Sequence, residues 1–182
     1  MFNYKSMLTQ LKNLIFNILF PPICLICGKY LEEVEAAGLI CGGCLESLPL
    51  STAFSCPACG ARRLSLYKLC HKNSALVLAA AAPYSYEPIK TLIWQLKFQN
   101  KRFAANPIAV ILKRYLKNLD FDPQEFHAII PIPLHKSRRT MRGFNQSEII
   151  AEKFISGNDD KFPPLDTKIL IRTKNTEPQT EK

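Results

Sequence analysis

The chain has 182 residues, with 24 Lys+Arg against 15 Asp+Glu for a formal net charge of +9, 47% hydrophobic residues, 13 Pro, 7 Gly and 7 Cys. Those numbers exclude a collagen, a disordered tail and a large multidomain enzyme, and leave one ordinary domain or a small module joined to a medium one. No run of about 18 uncharged apolar residues occurs, so no membrane-spanning helix is predicted and a soluble protein is expected.

Met7/Leu8, Leu11, Leu14/Ile15 and Ile18/Leu19 recur at helical spacing, interrupted by Lys12, Asn13 and Asn17. Residues 1–20 therefore read as an amphipathic helix ended by Pro21-Pro22, and not as a secretory signal, because no small-x-small cleavage pattern follows. The apolar face is expected to pack on the rest of the chain, since the polar face carries few cations for a membrane surface.

Residues 21–74 carry three Cys-x-x-Cys knuckles, Cys24/Cys27, Cys41/Cys44 and Cys56/Cys59, then a lone Cys70 beside His71. Two residues between thiolates let both sulfurs reach one tetrahedral ion, and two such knuckles complete a four-sulfur zinc site. Gly28, Gly42, Gly43 and Gly60 lie in or just after the knuckles, where the chain must turn tightly. Cys24, Cys27, Cys41 and Cys44 are assigned to a first zinc ion. For a second, Cys56, Cys59 and Cys70 supply three thiolates; a fourth knuckle would need a Cys where the chain has Asn73. Either His71 completes a three-Cys, one-His shell, or the site holds no metal. An odd cysteine count, paired knuckles and the lack of a signal peptide argue against a disulfide framework, and a cytoplasmic location is expected. With no open His/Glu pattern in view, the zinc is expected to be structural, supplying folding energy that a thin core lacks.

From about Ala75 the texture changes. Leu76 to Ala82 is predicted as a short buried strand ending at Pro83, with Tyr84-Ser-Tyr86 as an extended continuation. Ile89, Leu92/Ile93, Leu96 and Phe98 predict a helix, and Ile108, Val110/Ile111, Leu112, Tyr115 and Leu116 predict another, with Pro107 in its first turn. Between Glu87 and Asp120 stand Lys90, Lys97, Lys101, Arg102, Lys113, Arg114 and Lys117, with no acid among them. That field suits phosphate-rich partners, single-stranded DNA among them; a solvated basic face is the plainer reading. Trp94, Phe98 and Phe103 lie among these cations as stacking platforms, although their helical spacing favours core packing for at least two of them.

Ile129, Ile130 and Ile132 form a short apolar strand within Ala128-Ile-Ile-Pro-Ile-Pro133. A basic loop follows, with His135, Lys136, Arg138, Arg139 and Arg142, and then Gly143-Phe-Asn-Gln146 enters a helix running to about Ile155. Asn145 with Glu148 reads as a capping box. Strand, cationic loop and helix start make an anion site, because free backbone N–H groups add to the Arg charges; otherwise the loop is solvated or paired with acids elsewhere.

Paired knuckles, Leu96-Lys97-Phe98 after Tyr84-x-Tyr86, and Ile130-Pro-Ile-Pro-Leu-His135 followed by Arg142-Gly-Phe-Asn-Gln146 resemble the ComF family from about Pro21 to Gln179. The resemblance implies a zinc ribbon joined to a type I phosphoribosyltransferase-like domain, with a role in natural competence and the use of imported DNA. It implies an α/β fold: a small N-terminal zinc-ribbon module over 21–74 and, over 75–182, an incomplete doubly wound parallel sheet. By that resemblance Lys136, Arg138, Arg139, Arg142, Gly143, Asn145 and Gln146 face pyrophosphate, and Leu170-Ile-Arg172 with Thr176 and Gln179 leads into a mobile catalytic loop. Mg²⁺ with phosphoribosyl pyrophosphate is implied only for a complete family domain. Family members continue to an acidic pair and a Thr-Thr-Gly turn, whereas Asp159-Asp160 sits in a polar loop and the chain ends at Lys182. Only Lys168 to Arg172 remains as a further strand. A fragment or truncated reading frame is therefore expected, with activity absent or crippled; the alternative is a natural short form that borrows strands from a partner. Other competence and DNA-uptake proteins are the implied partners. The alternative function is a non-catalytic, zinc-containing accessory factor that binds single-stranded DNA.

Overall fold

A computed structural model describes residues 19, 21–32, 35, 38–67, 70, 71, 76–157 and 161–176. The helix expected over 1–20 lies outside them except for Leu19, as do Asn73, Asp159-Asp160 and Gln179. The chain divides into two compact units, Met1–Ser47 and Leu48–Lys182. Among the described residues no helix is long and apolar enough to cross a membrane.

In the first unit the chain reverses between Ile23 and Tyr30, which pair as an antiparallel bridge. Within that reversal Gly28 N donates to Cys24 O at 2.9 Å and Cys24 N to Lys29 O at 2.8 Å. Gly28 turns the corner at φ +74°, a left-handed conformation that glycine adopts without steric cost. The second half is helix α1, Gly42–Glu46, whose N-cap is Cys41. The core here is small: Cys24, Leu31, Ile40 and Cys41 are the buried apolar side chains among the described residues.

The second unit begins with the same reversal. Gly60 N donates to Cys56 O at 2.8 Å, Cys56 N donates to Ala61 O at 2.9 Å, and Gly60 has φ +72°. This knuckle joins strands β1 (Phe54–Ser55) and β2 (Arg62–Arg63), which pair antiparallel with Phe54 opposite Arg63. On its other side Ser55 pairs with Leu78, so the strand expected over Leu76 to Ala82 is a single rung. Tyr84 to Tyr86, expected to be extended, is a turn that feeds a helix; Tyr86 is its N-cap and Pro88 lies in its first turn, where no backbone donor is needed.

That helix, α2, spans Glu87–Phe98 and buries Leu92 and Leu96. A 3₁₀ turn, Arg102–Ala104, leads into α3, Ala105–Asn118, which buries Ala105, Pro107, Ala109, Ile111 and Tyr115. The Tyr115 hydroxyl donates to Ala53 O at 3.2 Å in the interior, tying α3 to the segment before β1. The basic segment expected to be a loop is helix α4, Lys136–Arg142, with the His135 side chain capping its start and Gly143 closing it at φ +77°. Helix α5, Gln146–Ile155, packs along α3 in the most extensive helix–helix contact of the unit.

Ile129 pairs in parallel with Leu165: Ile129 N donates to Pro164 O at 2.9 Å and Asp166 N to Ile129 O at 2.9 Å. The ladder stops there, because Pro131 and Pro133 offer no N–H. The strand expected at Lys168 to Arg172 is irregular, with Ile169, Leu170 and Ile171 exposed. Among the described residues the only sheet is the antiparallel β1–β2 pair; the expected doubly wound parallel sheet is not found there, and Ile129–Leu165 is the one parallel bridge.

Candidate metal centres and a cationic groove

Two groups of side chains converge as metal shells would. Cys24, Cys27, Cys41 and Cys44 form one, and Cys56, Cys59, Cys70 and His71 the other; in each, all four ligand atoms lie within 4.8 Å of one another. A tetrahedral ion with metal–sulfur bonds of about 2.3 Å spaces its sulfurs about 3.8 Å apart. Cys27 and Cys41 Sγ are 3.8 Å apart, Cys59 and Cys70 Sγ 3.6 Å, and Cys56 Sγ lies 3.5 Å from His71 Nδ1. The donor sets therefore fit zinc, and all seven cysteines are free thiols.

Local structure explains how each shell is built. In the first, the Cys24–Gly28 reversal presents two sulfurs and the start of α1 the others: Cys44 N donates to Cys41 Sγ at 3.4 Å, and Cys41 N to Cys24 Sγ at 3.5 Å. In the second, Cys70 and His71 are adjacent yet both reach the site, because the Cys70 sulfur turns to Cys59 and the His71 ring to Cys56.

The proton inventory of the metal-free thiols is uneven. Burial raises Cys24, but backbone N–H groups of Cys27, Cys41 and Ile26 outweigh it and hold the thiol at about 7. Backbone N–H groups of Ala58 and Cys59 draw Cys56 down to about 6. Burial and then the neighbouring sulfurs of Cys27 and Cys41 push Cys44 far up, and the bond to Cys59 leads in raising Cys70 to about 11. A divalent cation takes the place of the shared protons when it binds.

The expected anion residues are distributed differently. Arg139 pairs with Glu148 at 3.1 Å, Arg138 donates to Thr176 O, and the Arg142 guanidinium stands 5.7 Å over the Phe98 ring. Burial, and then the charge of Arg138, hold the Arg142 pKa below the usual arginine range. Lys136 is exposed. Asn145 is 4% exposed; its Nδ2 donates to Ile132 O at 3.1 Å and its Oδ1 accepts from Ser147 N at 3.2 Å, pinning the start of α5 to the segment beyond Ile129. Glu148 turns to Arg139 in place of closing a capping box. Gln146 is buried beside Asn145.

An open groove of about 550 Å³ runs along this region. Arg139, Gly143 and Asn145 line it, joined by Arg102 and Lys153, two cations not singled out for this site in the sequence. Arg102 donates to Gly143 O at 3.2 Å and lies 4.9 Å over the Phe144 ring. Glu148 and Glu152 line the same groove and offset part of its charge. Arg142 lines a separate recess of about 270 Å³ with Lys97, Phe98, Asn100 and Met141. Trp94, Phe98 and Phe103 are 49%, 61% and 46% exposed, so the core packing expected for at least two of them does not occur. Arg102 is legible in the basic run between Glu87 and Asp120, but its meeting with Gly143 is tertiary and has no local signal.

A family model described as a double zinc ribbon domain matches residues 15–74. Competence protein ComFC of Bacillus subtilis (strain 168) is 26% identical over 174 residues, covering 85% of this chain and 71% of that protein. Competence protein F of Haemophilus influenzae is 31% identical over 96 residues, covering 50% of this chain and 39% of that protein. No solved structure matches at a significant level.

Proposed function

The chain belongs to the ComF family, and on that footing we propose that it serves competence in the cytoplasm by handling single-stranded DNA, with zinc in both ribbon clusters as structural metal. The observation that carries this reading is the exposed aromatic side of α2 among cations. Trp94 and Phe98 lie with ring centroids 6.4 Å apart, and Lys97 and Arg142 flank Phe98. Single strands are held by base–aromatic stacking beside positive charge. No bond is made or broken in this reading: the rings take bases, Lys97, Arg102 and Arg142 take phosphates, and the metal-bound ribbons hold their segments in shape.

Fluorescence anisotropy of a labelled oligonucleotide tests it. Three phosphate contacts give a slope of about −2 in log affinity against log salt. Trp94→Ala is expected to weaken binding by about 1–3 kcal/mol, roughly five- to 150-fold. Unchanged affinity in Trp94→Ala and in Arg138→Ala/Arg139→Ala/Arg142→Ala would dismiss both α2 and α4 as the contact.

A phosphoribosyltransferase-like domain is the second reading, favoured by the parallel rung at Ile129 and by the Asn145 tie to Ile132. The sequence carries no Thr-Thr-Gly turn to cradle a ribose phosphate, so calorimetric titration with phosphoribosyl pyrophosphate and Mg²⁺ is expected to give no binding heat. A micromolar isotherm would favour an active transferase over an accessory factor.

A further inference from the structure

The two metal clusters differ in what they present to solvent. In the first, Cys24 and Cys41 are buried, Cys44 is half-buried and Cys27 is exposed. In the second, Cys56 is buried while Cys59, Cys70 and His71 are exposed. Its two exposed sulfurs are adjacent to each other, Cys59 from the knuckle and Cys70 from the segment after β2, at 3.6 Å. The buried Cys56 faces His71 on the other side. An oxidant arriving from solvent thus meets two neighbouring thiolates, and a closure of about 1.5 Å brings them to the S–S bond length of about 2.05 Å. In the first cluster Cys27 is the one exposed sulfur; its neighbours are Cys41 at 3.8 Å, 6% exposed, and the half-buried Cys44, so no pair there has two exposed members.

We infer that Cys59 and Cys70 form a peroxide-oxidisable dithiol whose closure discharges the metal of the second cluster and leaves the first loaded. The inference rests on reading Cys56, Cys59, Cys70 and His71 as a metal shell. In the reaction one thiolate of the pair attacks a peroxide oxygen; the O–O bond breaks, giving a sulfenic acid and hydroxide. The second thiolate attacks that sulfur, the S–S bond forms and a second hydroxide leaves. The two sulfurs lose two electrons, the peroxide gains them, and solvent protons turn both hydroxides into water. Cys56 and His71 remain as two ligands of four, too few for a tetrahedral structural site.

The test uses the full chain loaded with zinc and counted for metal, then treated with hydrogen peroxide. A chromogenic chelator follows release, and intact mass with peptide mapping follows the sulfurs. Release of one of two zinc equivalents is expected, with loss of two hydrogens and a Cys59–Cys70 cross-link; a thiol reductant with zinc restores the starting state. His71→Ala keeps both thiols but removes a ligand, and is expected to cross-link at the same pair faster. Loss of both metals together, a cross-link at another pair, or oxygen added with no cross-link overturns the inference. A starting content of one zinc per chain refutes the second metal site instead, and is read separately from where the cross-link forms.

Discussion

Metal removal from the first cluster is the sharpest test of how this chain is held together. Among the described residues of Met1–Ser47 the buried apolar side chains are Cys24, Leu31, Ile40 and Cys41, and two of those four are ligands. Burying Leu31 and Ile40 contributes about 1.5–3 kcal/mol each, so about 3–6 kcal/mol together. A structural zinc site contributes about 10–16 kcal/mol at neutral pH. The ion thus outweighs these two described core side chains by roughly 1.7- to fivefold, and without it the described part of the unit has little to oppose its conformational entropy. The assay is amide hydrogen exchange on the full chain before and after a strong chelator. The amides of Cys24, Leu25 and Leu31, bonded to Lys29, Leu39 and Pro22 carbonyls, are expected to lose protection. Those of α3, held over buried Ala109, Ile111 and Tyr115, keep theirs. Unchanged protection at Cys24, Leu25 and Leu31 in a sample shown by elemental analysis to be metal-free would refute the reasoning.

Three further outcomes follow from single contacts. Tyr115→Phe keeps the ring in the core and removes only the hydroxyl bonded to Ala53 O; a loss of about 1 kcal/mol is expected in urea denaturation, and a neutral result would mean that the bond carries no net stability. At Gly143 an added Cβ meets nothing nearer than Arg102 Nη2 at 3.9 Å, so Gly143→Ala is expected to cost about 1–2 kcal/mol from the left-handed backbone alone, and a larger loss would point to a packing role. Backbone N–H groups of Lys168 and then Ile169 hold the Asp166 carboxyl below its ordinary value. Its support of that turn is therefore present above the unfolded-state pKa and lost as pH falls through the folded one; Lys168 and Ile169 amide shifts should titrate below the usual aspartate midpoint, and not at all in Asp166→Asn.

How much of this was readable in advance depended on whether the signal was local. The knuckles were legible because Cys-x-x-Cys spacing fixes geometry over four residues, and α2 and α3 because Leu92, Leu96, Ile111 and Tyr115 recur at helical period. Helix α4 was not: none of its residues is buried, so it has no apolar stripe, and it is set instead by the His135 cap and the Gly143 turn at its two ends. The Ile169–Ile171 run looked like a strand by composition, yet the pairing falls at Leu165, a choice made by the partner Ile129 and not by propensity. Whether His71 completes the second shell is open in the sequence, and it is the fold that turns the His71 ring to Cys56 and the Cys70 sulfur to Cys59. Trp94 and Phe98 followed a helical period but face solvent, and period alone does not say which stripe is covered.

The rung between Ile129 and Leu165 bears on the order of folding. It closes a loop that contains all of α4 and α5, so its chain-entropy cost falls due only once those helices give the intervening segment a compact path. With one pair of backbone bonds and no neighbouring rungs among the described residues, the Ile129 and Asp166 amides are expected to be among the last protected during refolding and the first to exchange in the native state.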